Sequence, residues 1–81
     1  MFSKSIIRQA IKSIIGWDYY VGVRPTKNED SCYDIQVFTP NKKYGAYCVA
    51  LRDELESYEN ISTISRMMAK SLTEHAVRAR Y

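Results

Sequence analysis

Tyr33-Asp34-Ile35-Gln36-Val37-Phe38 and Tyr44-Gly45-Ala46-Tyr47-Cys48-Val49-Ala50-Leu51 each alternate large apolar residues with polar or small ones, and the turn-forming pair Pro40-Asn41 stands between them. A period of two marks a strand buried on one face. So short a connection makes the two strands antiparallel neighbours. Upstream, Tyr19-Tyr20-Val21-Gly22-Val23-Arg24 repeats the pattern. The polar run Thr26-Lys27-Asn28-Glu29-Asp30-Ser31 after Pro25 then reads as a hairpin loop.

On either side the period changes to that of a helix. Phe2, Ile6, Ile7, Ala10, Ile11, Ile14 and Ile15 form one stripe and Lys4, Arg8 and Lys12 a parallel basic row, ended by Gly16 as a C-cap. With no acidic residue before Asp18, this segment is similar to a mitochondrial presequence or a membrane-surface helix. The stripe is better used as a cover for the sheet, because the remaining ~60 residues could hardly bury a core without it. Trp17 is expected to pack at the corner between helix and strand. At the other end Asn60 reads as an N-cap, with Ile61, Ile64, Met68, Leu72, Ala76 and Ala79 along one face and Arg66, Lys70, Glu74 and Arg78 repeating every four residues. The acidic run from Arg52 to Glu59 fits either a short turn or the start of that helix. The fold expected is a single α+β domain over residues 1–81. Its order is α-β-β-β-α: a three-stranded antiparallel meander with both helices on one face.

Length limits what such a domain can do. One core of 81 residues supplies on the order of 3–5 kcal/mol of net stability, and the 46% hydrophobic content argues against disorder. A net charge of +3 favours acidic partners without demanding them. Seven tyrosines suit a half-wet binding surface better than a plain core.

Cys32 and Cys48 are expected to be free thiols. If Tyr33, Ile35 and Val37 share a face with Tyr47, Val49 and Leu51, Cys48 lies opposite Asp34. Cys32 is then a diagonal neighbour about 7 to 8 Å away between Cα atoms, beyond an unstrained disulfide. Free thiols fit a reducing compartment, and no stretch reads as a secretory signal or a bilayer span, so the setting expected is cytoplasmic and membrane contact is disfavoured. Two cysteines and one histidine do not make a zinc tetrad.

Catalysis has little to work with. Ser71 and His75 are four apart on the last helix and could touch, but no glycine-rich turn offers an oxyanion hole or a phosphate cradle. No catalytic residue, metal site or cofactor is expected.

Strand parity decides which surface is left over. The more apolar set, Tyr19, Val21, Val23, Tyr33, Ile35, Val37, Tyr47, Val49 and Leu51, is expected under the helices. The outer set is then Tyr20, Gly22, Arg24, Asp34, Gln36, Phe38, Tyr44, Ala46 and Cys48, with Tyr20 opposite Gln36 and Phe38 opposite Tyr44. Leaving a large apolar side chain in water costs roughly 1.5–3 kcal/mol, so a partner is expected on Phe38 and its tyrosine neighbours.

Two functions can use that platform. The first is a small protein-binding regulator or inhibitor that docks on a larger protein by aromatic anchors; in size and plainness the chain resembles phage-encoded antagonists of host or defence proteins. In the second, bases stack on Tyr20, Phe38 and Tyr44 while Arg24, Lys42, Lys43, Arg66 and Lys70 meet phosphates. The element order, together with Ser65-Arg66-Met67-Met68-Ala69-Lys70, resembles double-stranded RNA-binding domains at the start of their last helix. Arg66-Met67 stands here where that family has a lysine pair. The outer face can also pair with a second copy, sheet to sheet.

Overall fold

The computed structural model describes residues 2–27 and 31–78, of which 75–78 are described by their backbone alone. Ser3 starts α1 (Lys4–Ile15) by accepting the Ile6 N–H on its Oγ at 3.2 Å. Gly16 ends it, donating its N–H to the Lys12 carbonyl at 2.8 Å. The φ of Gly16 is +150°, and a Cβ there would stand 2.9 Å from a ring carbon of Tyr19. Only glycine fits this exit.

The chain then runs through β1 (Tyr20–Pro25), β2 (Cys32–Phe38) and β3 (Gly45–Leu51), paired antiparallel in that order. A 3₁₀ turn at Glu54–Glu56 precedes α2 (Tyr58–Arg78). The ambiguous acidic run is thus both things: a turn, a break at Ser57, and then helix. Ser57 opens α2, its Oγ accepting the Asn60 N–H at 3.4 Å and its carbonyl the Ile61 N–H at 3.0 Å. Asn60 therefore sits inside the helix. Its side chain donates to the Glu54 carbonyl at 3.0 Å, tying turn to helix.

Both helices lie on one face, α1 against β1 and α2 against β3. Ile7 and Ile11 share one buried cluster with Ile35 and Val37 of the central strand, Ile61, Met68 and Leu72 of α2, and Leu55 of the 3₁₀ turn. The isoleucine stripe of α1 splits: Ile7 and Ile11 are buried, whereas Ile6 and Ile14 are exposed. A single helix can turn only part of so wide a stripe toward one sheet. Ser65 is fully buried, and its Oγ donates to the Ile61 carbonyl at 2.7 Å. Trp17 does not pack into the corner; it is 65% exposed.

β3 departs from the expected register. Ile35 is opposite Cys48, Gln36 opposite Tyr47 and Phe38 opposite Gly45, so β3 is displaced by one residue and every side chain on it changes face. The turn is the cause. Thr39 donates its N–H to the Tyr44 carbonyl (3.0 Å) and accepts the Lys42 N–H on its own carbonyl (2.8 Å), while Asn41 Oδ1 receives the Thr39 hydroxyl (2.6 Å) and the Lys43 N–H (3.0 Å). Lys42 takes φ +60°. The loop therefore holds Pro40, Asn41, Lys42 and Lys43, one residue more than a Pro40-Asn41-Lys42 connection.

On the helix side β3 now presents Ala46, Cys48 and Ala50, small residues that let α2 approach closely. Tyr47, Val49 and Leu51 turn outward and are exposed. On β1 the parity is as expected, but Tyr20 is opposite Phe38 rather than Gln36. Cys32 and Cys48 are both free; Cys32 is paired with Leu51 and Cys48 with Ile35, which puts them on opposite faces. Asn28, Glu29 and Asp30 of the polar loop lie outside the described residues, as do the side chains of His75, Ala76 and Arg78, and Ala79 with all that follows it.

Truncation tests this arrangement. Ile35→Ala should cost about 2–5 kcal/mol in urea unfolding, whereas Val49→Ala should stay within about 0.5 kcal/mol. Gly16→Ala should cost about 1–3 kcal/mol through backbone strain. A Val49→Ala loss as large as that of Ile35→Ala would return Val49 to the core and refute the register.

Candidate functional site

The surface of interest is the sheet face away from the helices. Cross-strand rows place Tyr20, Phe38 and Gly45 side by side, then Gly22, Gln36 and Tyr47, then Arg24, Asp34 and Val49, with Leu51 at the far corner beside Cys32. Cys32 itself is buried, but the large side chains of these rows are open. Tyr20, Phe38, Tyr47, Val49 and Leu51 are all at least 40% exposed.

Local contacts orient the rings. Phe38 lies over Gly45, where a Cβ would come within 2.8 Å of the ring, so the glycine is what lets the ring lie down on the strand. Lys42, thrown back by its left-handed backbone, holds its Nζ 4.7 Å from the Tyr20 ring centroid. This is cation–π distance. Tyr47 donates its hydroxyl to Asp34 Oδ1 at 2.9 Å. That hydrogen bond, then desolvation and the Asp34 charge, push the Tyr47 phenol above the ordinary tyrosine range. On the opposite face, partial burial and then the Glu54 carboxylate push the Cys48 thiol up, which keeps it protonated and a poor nucleophile.

The residues singled out in the sequence divide between the two sides of the molecule. Tyr20, Arg24, Phe38 and Lys42 gather on the open face, and Lys43 is exposed in the adjoining turn. Tyr44 does not join them; it is half buried and packs against the core because β3 is shifted. Arg66 and Lys70 are exposed on α2, across the sheet from the rings. The two groups therefore do not form one continuous surface on the open face. Ser65–Lys70 also begins two turns inside α2 rather than at its start, with Ser65 in the core.

Sequence reading missed two parts of the surface. Tyr47, Val49 and Leu51 were placed inward by their size. Arg8, Lys12 and Trp17 were read as a helix face and a corner, yet they line one open cleft of about 530 Å3 with Tyr20, Arg24 and Phe38, curling around the β1 edge. The basic row was visible in the sequence; its nearness to Tyr20 needed the α1–β1 contact. No family model matches the chain, and no curated protein or solved structure matches it.

The Tyr47–Asp34 bond gives a pH prediction. A phenol whose folded pKa is raised contributes stability that is fully present below the unfolded tyrosine pKa and lost as pH rises through the folded value. Subtracting the phenolate absorbance titration of Tyr47→Phe from that of the wild type should show Tyr47 ionising later than an ordinary tyrosine, and Asp34→Asn should bring it back down. An unmoved titration in Asp34→Asn would remove this contact from the account.

Proposed function

We propose that this chain is a small non-enzymatic module that docks on a larger protein, as a regulator or inhibitor, through its uncovered sheet face. The observation that carries this reading is the contiguous exposure of Tyr20, Phe38, Tyr47, Val49 and Leu51 on a face no helix covers. Aromatic anchors with a polar margin match the composition of protein hot spots. Val49 and Leu51 favour a protein over a nucleic acid, because an aliphatic side chain offers no ring on which a base can stack. Arg24 and Lys42 at the margin select a target with acidic groups around an apolar centre. The two free thiols suit a reducing, cytoplasmic setting. Among the described residues no helix is long and apolar enough to cross a membrane.

A second reading has its own observation. The cleft that interleaves Arg8, Lys12 and Arg24 with Trp17, Tyr20 and Phe38 includes no acidic residue in its lining, a pattern that suits a single strand of nucleic acid. Affinity capture from cell extract, with and without nuclease, separates the two. The protein reading expects a defined protein that survives nuclease, resists a rise from about 50 to 200 mM salt, and is lost with Tyr47→Ala or Leu51→Ser. Retention that disappears with nuclease, falls steeply with salt and depends on Arg8 and Lys12 would overturn it in favour of the strand.

A further inference from the structure

The two edges of the sheet are built differently. β1 ends in Arg24-Pro25, a charge and a proline, both of which discourage further strand pairing. β3 has neither: from Gly45 to Leu51 it carries no charge and no proline. Its free edge can be assigned from the hydrogen bonds at its two ends. The Tyr44 carbonyl accepts from Thr39, and the Arg52 N–H donates to the Ser31 carbonyl at 2.8 Å, so the even-numbered residues of β3 turn their backbone groups toward β2. Antiparallel alternation then aims the N–H and C=O groups of Gly45, Tyr47, Val49 and Leu51 outward. All four residues are exposed. Beside this edge, between β3 and α2, lies an apolar groove of about 210 Å3 lined by Cys48, Ile64, Met67 and Met68 among others. Met67 is 65% exposed there.

We propose that β3 pairs edge to edge with β3 of a second copy of this chain, antiparallel about a two-fold axis through Cys48, joining the two three-stranded sheets into one. The occupant follows from the strand itself. Seven residues centred on Cys48 leave none unpaired, and Tyr47 falls opposite Val49 of the second copy, a favourable aromatic and β-branched pair. Gly45 meets Leu51. On the helix side every pair is small, Ala46 with Ala50 and Cys48 with Cys48, which leaves room for the Ile64 and Met67 flanks of the two α2 helices to close over the seam. Neither the strand nor the groove lining carries a charge, so the paired residues bring no like charges together. The strand is roughly 24 Å long and the molecule 18 Å thick at its thinnest, a flank of roughly 400 Å2 per copy in projection and ~800 Å2 for the pair, the size of a weak, concentration-dependent dimer rather than an obligate one. The pairing works through the backbone edge and leaves Tyr20 and Phe38 open, but it shares Tyr47, Val49 and Leu51 with the docking face, so it is read from the mass of the isolated chain and the Cys48 cross-link rather than from partner capture.

Sedimentation or light scattering of the whole chain over a range of concentrations tests this, with three further probes. Val49→Pro removes an N–H that the monomer does not use, and Val49→Lys places a charge at the seam. A short bis-maleimide, whose two alkenes each add one thiolate, probes the axis at mildly alkaline pH. The wild type should approach twice the chain mass as concentration rises. Either substitution should raise the dimer dissociation constant about tenfold or more, through lost hydrogen bonds or a charge held at the seam. Cross-linking should vanish in Cys48→Ala and persist in Cys32→Ala. Circular dichroism checks that the variants keep the fold, and Val49→Lys decides if Val49→Pro does not. A chain that stays monomeric at every concentration overturns the proposal. So does a dimer that resists folded Val49 variants or cross-links through Cys32 in place of Cys48.

Discussion

The register between β2 and β3 governs the rest of this structure, and a four-residue turn sets it. Thr39 and Tyr44 close the loop, Asn41 braces it from inside, and Lys42 supplies the left-handed residue that returns the chain. With one residue fewer, every side chain of β3 would point the other way. Ala46 and Cys48 would face solvent, and Tyr47 and Val49 would stand between the sheet and α2. The core would then have to accommodate a tyrosine where it holds an alanine or a cysteine.

That register also sorts side chains by size, which ties packing to function. Small residues beneath α2 let Met68 and Leu72 reach Ile35 and Val37, and a close fit is what dispersion and burial reward. The same choice sends the large residues of β3 out to join Tyr20 and Phe38. The exposed apolar face is therefore a by-product of good packing on the other side, and the cost of its hydration is one the fold carries. Lys42 serves both ends of this chain of causes: its backbone makes the turn and its ammonium sits on Tyr20.

Much of the fold was legible. Alternation in β1 and β2 and the helical stripes on either side gave the element order, the meander and the common face for the helices. Gly16 was readable as a stop because the isoleucine pattern ends there. The parity of β3 was not, since both of its faces are apolar: Tyr47, Val49 and Leu51 compete with Ala46, Cys48 and Ala50, and a count of hydrophobic bulk favours the wrong set. The decision lies in the turn, where Pro40-Asn41-Lys42-Lys43 differs from a shorter loop only by whether Lys43 pairs. The site was half legible for the same reason. Tyr20, Arg24, Phe38 and Lys42 follow from the parity of β1 and β2, Tyr44 was lost with β3, and the contribution of Arg8, Lys12 and Trp17 depends on which strand α1 lies against, a tertiary fact that periodicity does not contain.

Cross-strand Hα–Hα contacts in a nuclear Overhauser spectrum test the β3 register most directly, because in antiparallel sheets they join the close, non-hydrogen-bonded pairs. The structure predicts strong contacts between Gln36 and Tyr47 and between Asp34 and Val49. Contacts from Asp34 to Cys48 or from Gln36 to Ala46 in their place would contradict it, and the open face described above would lose Tyr47, Val49 and Leu51.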